Sequence, residues 1–114
     1  MMAYIDEEAF GEVIVNLISN AVEAMGNKSD GEVEISIKEQ GSWGIIEIKD
    51  NGPGIETEDL GRIFTPFFST KSSINNWGVG LAFCYKVVTA HDGKITVESE
   101  VGRGTVFSIA LPIV

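Results

Sequence analysis

The chain has 114 residues, a formal net charge of −9, a pI near 4.4, 44% hydrophobic residues and 22% charged ones. These values fit one ordinary globular domain, residues 1–114, able to bury about two thirds of its unfolded surface. They exclude a disordered chain, a non-specific nucleic-acid binder, which needs a basic face to displace counterions, and a polybasic module that docks directly on membranes.

Cys84 is the only cysteine, so no disulfide can close within the chain, and a reducing, cytoplasmic compartment is expected. With His91 as the only histidine, a zinc site is excluded. No apolar run approaches the roughly 20 residues that span a bilayer, and residues 1–12 lack the basic start of a signal peptide. The doubled Met1-Met2 is compatible with a piece of a longer protein whose anchor lies upstream. An acidic chain that binds a polyanion must do so locally, with backbone N–H groups, a helix N-terminus and a metal ion.

The spacing of Phe10, Val13, Ile14, Leu17, Ile18, Ala21, Val22 and Met25 predicts a helix over 7–26 with these residues on one face. Asp6 is its expected N-cap and Gly26-Asn27 its stop. Alternation at Val33, Ile35 and Ile37, and again at Ile46 and Ile48, predicts two strands joined through Gly41-Ser42. A glycine-rich turn over 50–54 ends the second strand, and a short helix is expected over 57–63. Residues 65–77 read as a mobile loop bracketed by Phe64, Phe67, Phe68 and Trp77. A second long helix over 79–91, with Leu81, Cys84, Tyr85, Val87 and Val88 inward, leads through Asp92-Gly93 to strands 94–100 and 104–112. The fold class is therefore α+β: a two-layer α/β sandwich with a mixed, mostly antiparallel sheet and about three helices on one face.

Four features carry chemistry. Asn16 and Asn20 lie one turn apart on the first helix and point the same way, and their amide oxygens are neutral, hard ligands suited to Mg²⁺. Surface asparagines are common, but two in mid-helix carry a stability cost without structural return. Asp50-Asn51-Gly52-Pro53-Gly54-Ile55 is either a plain tight turn or a site where glycines admit a flat ligand, Asp50 accepts from an exocyclic amine and Ile55 forms an apolar wall. Gly78-Val79-Gly80-Leu81 opens a helix and is either a hinge or an anion site built from free N–H groups. It is neither a P-loop nor a dinucleotide fingerprint. Lys71, inside the loop, is placed to reach a phosphate if the loop is a lid. His91, at a helix end, and Cys84, on an apolar face, are read as structural.

The order of these segments resembles one family. Asn16-Leu17-Ile18-Ser19-Asn20-Ala21 looks like the N box of sensor histidine kinases, and Asp50 to Ile55 their first glycine box. Ile63-Phe64-Thr65-Pro66-Phe67-Phe68 resembles the F box, Gly78 to Leu81 the second glycine box, and Gly102-Arg103-Gly104-Thr105 the final glycine-threonine turn. The resemblance covers the whole chain and extends to the GHKL (Bergerat-fold) superfamily of gyrase, heat-shock chaperone and mismatch-repair ATPases. It implies an ATP-binding catalytic domain in which Asp50 accepts the adenine amine and Thr105 assists through water. It also implies that Asn20, helped by Asn16, coordinates Mg²⁺, and that the segment 65–77 is the lid. Ala24, Gly52, Gly54, Ile55, Lys71, Gly78, Val79, Gly80 and Leu81 complete the implied nucleotide contacts.

Hydrolysing members carry a glutamate one turn before the metal asparagine. Here that position is Asn16, which favours phosphoryl transfer over hydrolysis. Asn76 departs from a glycine common in the second glycine box. The implied partners are ATP, a separate dimerisation and phosphoacceptor domain and, indirectly, a response regulator, so the domain alone is expected not to phosphorylate itself. An anti-sigma-type serine kinase and a nucleotide-binding module without kinase activity are the alternatives.

Overall fold

A computed structural model describes residues 2–65 and 80–114. Residues 66–77 of the expected lid, with Lys71 and Asn76, and Gly78-Val79 of the expected second glycine box lie outside the described residues.

Helix α1 spans Glu7–Met25. Asp6 caps it as expected: Asp6 Oδ1 accepts from the N–H groups of Glu8 and Ala9, each at 3.1 Å. Gly26 ends it at φ 53°, a conformation that suits glycine. Strands β1 (Val33–Gln40) and β2 (Trp43–Asp50) form the first hairpin. A short helix, α2 (Thr57–Leu60), leads into turns rather than continuing to residue 63. Helix α3 (Gly80–Ala90) precedes the second hairpin, β3 (Lys94–Glu100) and β4 (Gly104–Pro112).

The four strands lie in the order β1-β2-β4-β3, and every described pairing is antiparallel. The second hairpin thus inserts β4 beside β2, which brings Asp50 opposite Thr105. Helices α1 and α3 pack on one face of this sheet and on each other. Their fully buried Val13, Leu17, Cys84 and Val88 meet Ile48 and Ile109 of the central strands. Each buried aliphatic side chain contributes about 1.5–3 kcal/mol of burial free energy. Among the described residues, no helix is long and apolar enough to cross a membrane.

Several apolar side chains of the predicted elements are exposed, Tyr85 among them against the expectation that it points inward. Ile35 and Ile37 are 48% and 65% exposed, because β1 is an edge strand and the helix layer covers mainly the other strands. Val22 is exposed because the buried stripe of α1 is narrower than its apolar residues and centres on Phe10, Val13, Leu17 and Ala21. Tyr85 is half exposed on α3, its ring tilted against Phe64 at 5.7 Å between centroids.

The structural reading of His91 agrees with its surroundings. Its Nε2 accepts from the Asp6 N–H at 3.0 Å, its Nδ1 lies 2.8 Å from the Val87 carbonyl, and its ring meets Phe10 edge-on. These contacts tie the end of α3 to the start of α1.

Candidate nucleotide site

Two polar side chains interrupt the apolar interior. Among the described residues, Asp50 and Thr105 are the polar side chains that reach the buried class, each 6% exposed. Both face the helix layer, because period-two alternation puts them on the same side as Ile48 and Phe107. A buried carboxylate is costly without hydrogen bonds. The Gly52 N–H supplies one, to Asp50 Oδ1 at 2.8 Å.

The glycines of this turn do more than admit a ligand. A Cβ on Gly52 would lie 3.0 Å from Asp50 Oδ1 and 3.7 Å from the Ala24 carbonyl carbon. The turn therefore packs directly on the end of α1, which brings Ala24 beside Asp50. Gly54 has φ 81°, and a Cβ there would run into the Glu100 carbonyl, so its missing side chain makes room for the β3–β4 turn. Gly102, at φ 86° in that turn, donates its N–H to the Pro53 carbonyl at 2.9 Å. Asn51, one residue further, staples the turn to the α1–β1 loop. Its Oδ1 accepts from the Glu32 N–H at 2.7 Å and its Nδ2 donates to the Asp30 carbonyl at 2.9 Å.

Sequence reasoning did not single out Ser99. Its Oγ accepts from the Ile55 N–H at 2.7 Å, donates to the Gly104 carbonyl at 2.9 Å and lies 2.9 Å from Thr105 Oγ1. The available signal was positional: after Ile95 and Val97, the next inward position of β3 carries a hydroxyl where an apolar residue is expected.

Along the middle of α1, Asn16 and Asn20 are half-buried rather than fully solvated. A Cβ on Gly80 would meet Asn16 Oδ1 at 3.3 Å, so the Asn16 amide faces the first turn of α3. There Gly80 and Leu81 open the described part of α3. The Leu81 side chain itself packs against the core. Asn16, Asn20 and Ala24 follow at steps of four, a stripe of about 12 Å along α1. It joins the Gly80 end to the Asp50 end. The described residues thus group Ala24, Asp50, Gly52, Ile55 and Thr105 at one pole and Asn16 and Gly80 at the other.

This donor set fits a nucleotide with a hard cation. The Asp50 pole offers acceptors for an amine, and the Gly80 pole offers a helix start for phosphate and the neutral Asn16 oxygen for metal. No group of three His, Cys, Asp or Glu side chains among the described residues could cage a metal alone. Amide oxygens that share Mg²⁺ with phosphates and water need no such cage.

A family model described as histidine kinase-, DNA gyrase B-, and HSP90-like ATPase matches residues 5–114. Sporulation kinase C of Bacillus subtilis is 40% identical over 95% of the chain, which corresponds to 24% of that protein. Sensor histidine kinase ZraS of Escherichia coli is 36% identical over 95% of the chain and 22% of its own length. The chain thus spans about a quarter of these curated relatives. Among solved structures, the nucleotide-free catalytic domain of histidine kinase ThkA superposes with a TM-score of 0.83 at 32% identity, covering 97% of this chain and 70% of that one. The mycobacterial sensor histidine kinase MprB superposes with a TM-score of 0.86 at 27% identity, over 97% of this chain and 76% of that one. The chain therefore belongs to the family of histidine kinase-, DNA gyrase B- and HSP90-like ATPases, as an ATP-binding catalytic domain of the sensor histidine kinase type.

Proposed function

We propose that this domain holds Mg-ATP along α1 and presents the γ-phosphoryl group to a histidine on a separate dimerisation domain of a longer, cytoplasm-facing kinase. The observation that carries the reading is the pair of buried acceptors, Asp50 and Thr105, set opposite each other in register at one end of the sheet. Full-length ShkA, similar to this chain at 28% identity and a TM-score of 0.82, was solved in complex with AMPPNP.

Asp50 accepts the adenine amine, and Ala24 and Ile55 bound the base. The amides of Gly80 and Leu81, joined by Gly78 and Val79, hold the phosphates, with Lys71 reaching them from the lid. Mg²⁺ neutralises charge on the phosphate oxygens, which is the main demand of phosphoryl transfer. Asn16 and Asn20 orient that ion with oxygens that take no proton. Asn16 therefore cannot activate water, and ATP is kept for transfer to the acceptor histidine and from there to a response regulator.

The test is to mix the domain with the isolated phosphoacceptor domain of its parent and γ-labelled ATP. Acid-labile label on histidine is expected. Acid-stable label on serine, or bound ATP with no transfer, contradicts the proposal.

A further inference from the structure

We propose that Ser99 is a specificity-determining positioning residue: it fixes Thr105 as a pure hydrogen-bond acceptor, so the pocket edge beside Asp50 accepts and does not donate. The inference rests on the reading that adenine occupies this pocket.

The argument is a count of protons. A serine hydroxyl has one hydrogen and two lone pairs. The Ile55 N–H, 2.7 Å away, occupies one lone pair. The Gly104 carbonyl, 2.9 Å away, has no hydrogen and can only accept, so it takes the single Ser99 proton. All three contacts are hydrogen bonds at once in only one arrangement of the Ser99–Thr105 pair, 2.9 Å apart. Thr105 donates its hydrogen to the remaining lone pair of Ser99. With its only hydrogen turned inward, Thr105 Oγ1 has nothing but lone pairs left to offer.

The three residues sit in line across the sheet, Asp50 opposite Thr105 and Thr105 opposite Ser99. All three lie on the sheet face that the helices cover. An ionised carboxylate also only accepts. The edge formed by Asp50 and Thr105 therefore matches, in direct contact, a purine that offers an amine and opposes one that offers a carbonyl. In a site this buried, a carbonyl facing acceptors leaves polar groups unpaired, which is how large discrimination arises. Without Ser99, the Thr105 hydroxyl can rotate, donate outward and accommodate guanine.

The experiment measures ATP and GTP dissociation constants by calorimetry for the unaltered chain, Ser99→Ala, Ser99→Thr and Asp50→Asn. Circular dichroism checks folding. Ser99→Ala is expected to lower the ATP-over-GTP preference about tenfold, a change of about 1.4 kcal/mol. Ser99→Thr, which keeps the hydroxyl, retains the preference. A merely structural role weakens both nucleotides equally and leaves the ratio unchanged, and that result overturns the proposal. If Ser99→Ala does not fold, Ser99→Cys, a weak donor and acceptor of similar size, is expected to lose the preference as well. An unchanged ratio in Ser99→Cys overturns the proposal equally. Asp50→Asn separates the two levels: if it too leaves the ratio unchanged, adenine does not lie on this edge and both readings fall. If only the Ser99 variants behave as the unaltered chain, the role of Ser99 alone is removed.

Discussion

The amide oxygen of Asn16 and the α-carbon of Gly80 are packed so closely that a methyl group on Gly80 would stand 3.3 Å from that oxygen. This contact joins the proposed metal-binding face of α1 to the amide-bearing start of α3. It gives Gly80 a reason to be glycine that is independent of backbone conformation, since its φ is not left-handed. Alanine in a helix is favoured over glycine by up to about 1 kcal/mol. Gly80→Ala is therefore expected to leave the melting temperature unchanged or raise it. It should also push Asn16 aside by a few tenths of an ångström and weaken Mg-ATP several-fold. Differential scanning fluorimetry with and without Mg-ATP measures both effects, and unaltered Mg-ATP affinity removes Asn16 from the site.

Asn20, one turn further along α1, separates metal binding from nucleotide binding. Asn20→Ala is expected to weaken Mg-ATP about tenfold while changing metal-free ATP little, because the lost group is a metal ligand. Calorimetry in magnesium and in EDTA gives the comparison. Equal losses in the two conditions take Asn20 out of the metal shell.

Gly104 holds the other pole together. Its φ is 131°, and a Cβ there would collide with the backbone carbonyl of Asp50. Gly104→Ala is expected to cost about 2–4 kcal/mol through backbone strain and displacement of the Asp50 turn. Urea unfolding measures the loss. Ligand protection should fall with it, since Ser99 bonds the Gly104 carbonyl.

Much of this was legible in the sequence, for identifiable reasons. Capping by Asp6, the turn at Gly26 and the second hairpin follow from local rules, and the structure matches them almost residue for residue. Position in the tertiary layer was not legible. Ile35 and Ile37 alternate as a core-facing strand should, yet they lie on an edge that the helices do not cover. The role of Gly54 was half legible: a close approach was expected, to a ligand, and the structure shows one to another turn of the chain. Ser99 gave no motif, because its meaning comes from the pairing of β3 with β4 and β2.

Cys84 gives a pH signature. It is fully buried, and burial pushes its thiol pKa from the ordinary value of 9.0 up to about 12, a weak backbone hydrogen bond only partly opposing this. The folded state thus keeps a proton that the unfolded chain releases above pH 9, so stability is lost as pH rises from about 9 toward 12. At pH 10 this linkage amounts to about 1 kcal/mol. Urea unfolding at pH 7.5 and 10 should show a smaller alkaline loss in Cys84→Ala than in the unaltered chain. Equal alkaline losses count against a protonated, inaccessible thiol.

The most direct test of the account is a crystal structure of the domain with magnesium and a non-hydrolysable ATP analogue. The account predicts the adenine amine within hydrogen-bonding distance of Asp50 and the metal between the phosphates and the amide oxygens of α1. A purine that turns its amine away from Asp50, or a triphosphate that runs away from Asn16 and Asn20, contradicts it.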